Sequence, residues 1–131
     1  MSTTAVKKEA KATAKYVRIS PSKVRRILDL IRGKATAEAQ AILKIMPHLA
    51  ARLTEKVLNS AIANAGTNHK LDRNKLFVSQ ALADKAFIMK RHRASSRGRG
   101  VSIYKRLSHI CIEVKERSVQ QLQPQPAGEE K

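Results

Sequence analysis

Eight lysines and arginines, and no acidic residue, fall within the 22 residues from Lys85 to Arg106. They are Lys85, Lys90, Arg91, Arg93, Arg97, Arg99, Lys105 and Arg106. A guanidinium offers a planar fork of donors that fits two oxygens of one phosphate, and an ammonium is a compact point charge. At the centre lies Arg93-Ala94-Ser95-Ser96-Arg97-Gly98-Arg99-Gly100, whose small residues permit close backbone approach and unusual dihedrals. The chemistry on offer is anion recognition, and a run this long with one sign of charge points to a polyanion. A merely solvated charged face is the bland alternative. The missing acids argue against it.

Other chemistries lack their residues. His48, His69, His92 and His109 are scattered, and although His109 and Cys111 would share one strand face, two ligands do not make a metal site. Asp29, Glu38, Glu55, Asp72 and Asp84 stand alone, and Gly98-Arg99-Gly100 has no strand-to-helix setting for a phosphate loop. The sequence therefore reads as a protein that is not an enzyme and uses no cofactor or metal. No stretch has the roughly 18–20 apolar residues of a membrane span, and no secretory signal is legible. The one cysteine, Cys111, excludes an internal disulfide and fits a reducing compartment.

The net charge of +17 is unevenly spread: +8 over residues 1–34, +2 over 35–84, +8 over 85–106 and −1 beyond. Such an excess predicts nucleic acid as partner. Only Tyr16, Phe77, Phe87 and Tyr104 are aromatic, too few for the stacking platforms that hold single strands. The basic first helix lacks a helix-turn-helix context. Recognition of folded RNA through its phosphates and shape is the better inference.

These residues need elements to hold them. Residues 1–11 read as a flexible basic arm, 12–117 as one globular domain with a hairpin over about 84–106, and 118–131 as a disordered polar tail. Within the domain, Ala14 to Ile19 reads as a strand. Ser20-Pro21 starts a helix with Val24, Ile27, Leu28 and Ile31 on one face, and Gly33 stops it. Thr36 is the expected cap of a second helix, ending at Pro47. A third helix, about 48–65, carries a four-residue stripe of Leu49, Leu53, Val57, Ala61 and Ala65. Strands follow from Leu76, and Ile110, Ile112 and Val114 alternate with polar partners as in a half-buried strand. The fold class is α+β, three helices packed on a small antiparallel sheet with a long protruding β-hairpin. The 14 residues from Leu82 to Ser95 could span ~45 Å, against a radius of gyration of about 13 Å for a compact body.

Several segments in register resemble the bacterial-type large ribosomal subunit protein 22 family. They are the run from Tyr16 to Lys34, Lys56 to Ala65, Met89-Lys90-Arg91, Gly98-Arg99 and Lys105 to Ile110, collinear over about residues 12–116. The resemblance implies a structural constituent of the large ribosomal subunit that binds large-subunit (23S-type) ribosomal RNA. It implies neighbouring ribosomal proteins and the nascent polypeptide as further partners, no membrane, and a place in cytoplasmic ribosomes of a bacterium or, alternatively, an organelle. By position, Lys90, Arg91, Arg93, Arg97 and Arg99 would bind RNA along the hairpin. Arg18, Ser20, Lys23, Arg25, Arg26, Lys105, Arg106, Ser108 and His109 would bind it near the body. The tip, Arg93, Ala94, Ser95, Ser96, Arg97, Gly98 and Arg99, would line the peptide exit tunnel. Ala94-Ser95-Ser96 replaces the family's proline-arginine-alanine, and Ala86-Phe87 replaces its Gly-Pro. A free-standing nucleoid or regulatory nucleic-acid binder is the alternative reading of the same charge.

Overall fold

A computed structural model describes residues 9–117. The chain runs β1 (Glu9–Val17), α1 (Pro21–Ile31), α2 (Thr36–Ile45), α3 (Leu49–Thr67), a 3-10 turn (Arg73–Lys75), β2 (Leu76–Ala94), a second 3-10 turn (Ser96–Gly98) and β3 (Gly100–Glu116). The sheet is antiparallel with order β1-β3-β2, so the last strand is the central one. The α+β class with its helices on a small antiparallel sheet stands. α1 packs on β2 and β3, α3 on β1 and β3, while α2 rests chiefly against α3.

The core lies between the helices and one face of the sheet. Val24, Leu28 and Ile31 from α1 meet Leu58, Ala61 and Ala65 from α3 and Val78, Ala81, Ile110, Ile112 and Val114 from the sheet. Each fully buried Leu, Ile or Val contributes about 1.5–3 kcal/mol. No large aromatic ring is needed, because α3 approaches β1 through alanines on both sides, Ala10 and Ala12 on the strand. Asn64 Nδ2 donates to the Lys11 carbonyl at 3.1 Å and fixes that approach.

Local signals place most boundaries, with four differences. β1 begins at Glu9, so residues 9–11 of the expected arm belong to a strand, and it ends at Val17. The arm's first eight residues and the tail 118–131 lie outside the described residues. Lys11 pairs with Glu113 at 3.3 Å and Lys115 with Glu9 at 2.8 Å, which clamps this strand to β3. Those carboxylates raise both lysines above their ordinary 10.5, so the lysine charge that the clamp needs is fully present below that pH and is lost as pH climbs through the raised values. Ser20 occupies the N-cap of α1 with Pro21 after it, as expected, but its Oγ shares a hydrogen bond with Ser22 Oγ at 2.9 Å and caps no backbone N–H. Thr36 lies one residue inside α2, whose N-cap is Ala35, and its buried Oγ1 donates to the Leu76 carbonyl at 3.3 Å. On α3 the four-residue stripe drifts roughly 40° per step against the 3.6-residue turn. Leu49 is therefore exposed, and Ala50, Ala51 and Thr54 take the buried positions. Last, α3 continues through Gly66 to Thr67.

The outer edge of β2 is closed by α1, the turn that follows it and the first residue of α2. Thr36 holds the Leu76 carbonyl, and Gly33 N donates to Val78 O at 2.9 Å. A bulge at Ser79 then shifts the pattern by one residue. Beyond it Arg32 Nη2 donates to Ala81 O at 2.7 Å, and Arg25 donates to Ala83 O through Nε (3.1 Å) and Nη2 (2.9 Å). Gly33 can reach Val78 because it sits at φ 77°, a conformation that costs an L-residue roughly 1–2 kcal/mol. Gly33→Ala meets open space yet forces a side chain into that region. We expect a urea midpoint lowered by about 1–2 kcal/mol of stability, with the helix content of the folded state unchanged by circular dichroism.

Candidate nucleic-acid interface

Pairing of β1 with β3 ends at Ser108, which faces Lys85 on β2. Beyond it β2 and β3 continue alone. A second bulge marks this point: Lys85 pairs with Ser108 and Ile88 with Arg106, so Ala86 and Phe87 together oppose Leu107. A bulge bends its strand and increases the local twist. It occupies the two positions at which the sequence departs from the family's usual Gly-Pro. The nine residues from Ala86 to Ala94 form a two-stranded finger of about 30 Å, shorter than the span from Leu82 because β1 supports the strand further.

The finger is held by its backbone ladder, which runs unbroken from Ile88↔Arg106 to Ala94↔Gly100. Every residue from Lys90 to Ser102 is exposed. Register puts Arg91 and Arg93 on one face opposite Ile103 and Val101, and Lys90 and His92 on the other opposite Tyr104 and Ser102. The tip closes through Ser95 N to Arg99 O at 2.8 Å. Arg97 (φ 56°) and Gly98 (φ 68°) are both left-handed there, which turns the chain without the family's proline.

Where the finger leaves the body, a groove of about 940 Å³ opens between it, α1 and the start of α3. Arg18, Lys23, Arg26, Lys105 and Arg106 line it together with Ser20, His48 and Tyr104 over Ile27 and Leu107. No acidic side chain lines it. Among the described residues the ion pairs are Lys11–Glu113, Arg32–Asp29, Lys34–Glu38, Lys75–Asp72 and Lys115–Glu9, all on the body. None involves a cation of the groove or finger. Their charges are uncompensated and lie on one connected surface, the arrangement that attracts and orients a phosphate backbone.

The structure thus gathers Arg18, Ser20, Lys23, Arg26, Lys105 and Arg106 in the groove and carries Lys90, Arg91, Arg93, Arg97 and Arg99 outward on the finger. Three candidates fall elsewhere. Ser108 is fully buried, with an Oγ that has no partner, because it sits at the three-strand junction facing the helices, and it presents nothing to a ligand. Arg25 commits two of its three guanidinium nitrogens to the Ala83 carbonyl. His109 lies on the opposite face of the sheet, where its Nδ1 accepts from Tyr16 N at 3.0 Å. That leaves the Nε2 position as the proton-bearing one.

Sequence reasoning missed His48 and Tyr104 in the groove, since only the fold brings the start of α3 beside the finger. It also rejected an aromatic cluster that exists: Tyr16 lies 5.6 Å from Phe87 and 4.7 Å from His109 between ring centroids. Counting aromatics had no means of showing that the few present converge.

The class of architecture is a helical body on a three-stranded antiparallel sheet, with a cationic ribbon growing from its two longest strands. Residues 12–115 match the family described as Ribosomal protein L22p/L17e, and the chain belongs to that family. It is 53% identical over 110 residues to the large ribosomal subunit protein uL22 of Clostridium novyi, covering 84% of this chain and 99% of that protein. It is 56% identical over 111 residues to the protein of the same name from Finegoldia magna, covering 85% and 99%. Over 109 residues, 83% of this chain and 96% of the other, it is 53% identical to that of Halothermothrix orenii.

Two neighbouring arginines on α1 have different surroundings, Arg25 at the Ala83 carbonyl and Arg26 in the groove. Arg25→Ala removes both bonds to Ala83 O and should lower folding stability by about 1–3 kcal/mol. Arg26→Ala, which faces the groove, should leave the melting temperature unchanged and weaken binding to a large-subunit RNA fragment. Denaturation and filter binding on both variants check this, and equal behaviour would refute the division.

Proposed function

We propose that this chain is a structural component of the large ribosomal subunit that binds and organises large-subunit ribosomal RNA. The groove takes the phosphates nearest the body, through Arg18, Lys23, Arg26, Lys105 and Arg106. The finger threads Lys90, Arg91, Arg93, Arg97 and Arg99 between crowded RNA helices. The tip from Arg93 to Arg99 forms part of the wall of the peptide exit tunnel and faces the nascent polypeptide, with other large-subunit proteins beside the body. The bacterial relatives support a place in cytoplasmic ribosomes of a bacterium. The family supports a structural part and not an enzyme.

The observation that carries this reading is the uncompensated cation track in a chain of this family. A two-stranded ribbon is marginal in water even when its charges balance, and here they repel. Surrounding phosphates reverse the sign of that term: each neutralised phosphate releases counterions and draws the arginines into fixed positions. A free-standing nucleic-acid binder would need the same charge, but nothing in the family match favours it.

Filter binding of the full chain to a large-subunit RNA fragment across a salt series should give a log–log slope of about −0.7 to −0.9 per phosphate contacted. Arg97→Ala with Arg99→Ala should reduce the magnitude of that slope by up to about 2. Melting of the body should stay unchanged, since both side chains lie in the exposed tip. Binding that ignores salt would remove the proposal. A large fall in melting temperature for the double variant would contradict the separation of body and finger.

A further inference from the structure

We infer that Tyr16, Phe87 and His109 form a stacking platform for an unpaired RNA base, on the sheet face opposite the helices and apart from the phosphate-binding groove. The three rings come from three different strands and meet where the sheet narrows from three strands to two. His109 alternates with the core residues Ile110 and Ser108 and so points away from the helices. Tyr16 packs edge-on against it, with an angle of 80° between the rings, and Phe87 tilts at 49° to Tyr16.

Two features set this cluster apart from ordinary core packing. Tyr16 is 57% exposed and Phe87 is 55% exposed, so neither ring stabilises the body as a buried side chain would. Tyr16 also holds a left-handed backbone (φ 55°), a conformation disfavoured for a bulky residue, with its N–H bonded to His109 Nδ1. Backbone strain of this kind gathers at binding sites. On this face Lys15 precedes Tyr16 along the chain and Asp84 stands opposite His109, while Arg18 and Lys85 turn toward α1 on the other side of the sheet. A base supplies a flat π-face whatever its identity, and its phosphates supply the counter-charge. The platform lies at the root of the cationic finger, where the Phe87 bulge meets the ladder that starts at Ile88, so RNA held along the finger passes beside it.

The inference rests on the RNA-binding reading, and its test distinguishes the two. The full chain is titrated with an oligoadenylate octamer and with an abasic octamer of equal charge. The wild type should bind the first more tightly by between about five-fold and a hundred-fold, the range for one stacked base. Phe87→Leu keeps an apolar side chain at an exposed position and should remove most of that preference without changing the salt slope or the melting temperature. Tyr16→Asn, which tolerates the left-handed backbone, should do the same. Equal binding of both octamers, unaffected by either variant, overturns the platform while leaving the phosphate reading intact. Salt-independent binding of both, or none, brings down the reading on which it rests. Loss of binding to a neighbouring ribosomal protein in Phe87→Leu, with base preference retained, assigns the rings to a protein contact and overturns the inference.

Discussion

The pairing of β3 with its neighbours is the constraint from which the rest of the molecule follows. In the body this strand has a partner on each side and a helix layer over one face, so Ile110, Ile112 and Val114 are fully buried. From Arg106 to Gly100 the same strand has one partner and no cover. A single stretch of backbone therefore passes from a dry core to a surface where only main-chain bonds hold it. The stability of the fold and the reach of the finger are opposite ends of one ladder.

That division explains where charge can be tolerated. On the body every ion pair has an acid at hand, and the long strand edge is satisfied by groups from α1 and the turn that follows it. On the finger, side chains add repulsion and the ladder alone opposes it. A protein meant to stand free would mix signs along such a ribbon. The concentration of one sign there fits a shape completed by its partner, with the body serving as the anchor that sets where the ribbon starts and which way it leaves.

Much of this was legible in the sequence, because the strongest signals were local. The apolar spacing on α1, the stop at Gly33 and the alternation from Ile110 to Val114 depend on near neighbours, and the structure repeats them. What could not be read depends on distant partners. Ser108 looks like any polar residue near a basic run, and only the three-strand junction buries it. Arg25 and Arg26 are indistinguishable as letters, yet α1 turns one toward a strand carbonyl and the other toward the groove. Tyr16 and Phe87 lie 71 positions apart, and their meeting follows from the register of β1 and β2 on a shared central strand.

The guanidinium groups of Arg25 and Arg32 have a consequence for the protein before it finds a partner. A newly made copy, still alone, exposes a long strand whose free acceptors would recruit a strand from another copy and seed fibrous clumping. With the carbonyls of Ala81 and Ala83 already occupied, that route is shut over the body, and the like charge of the ribbon keeps copies at a distance.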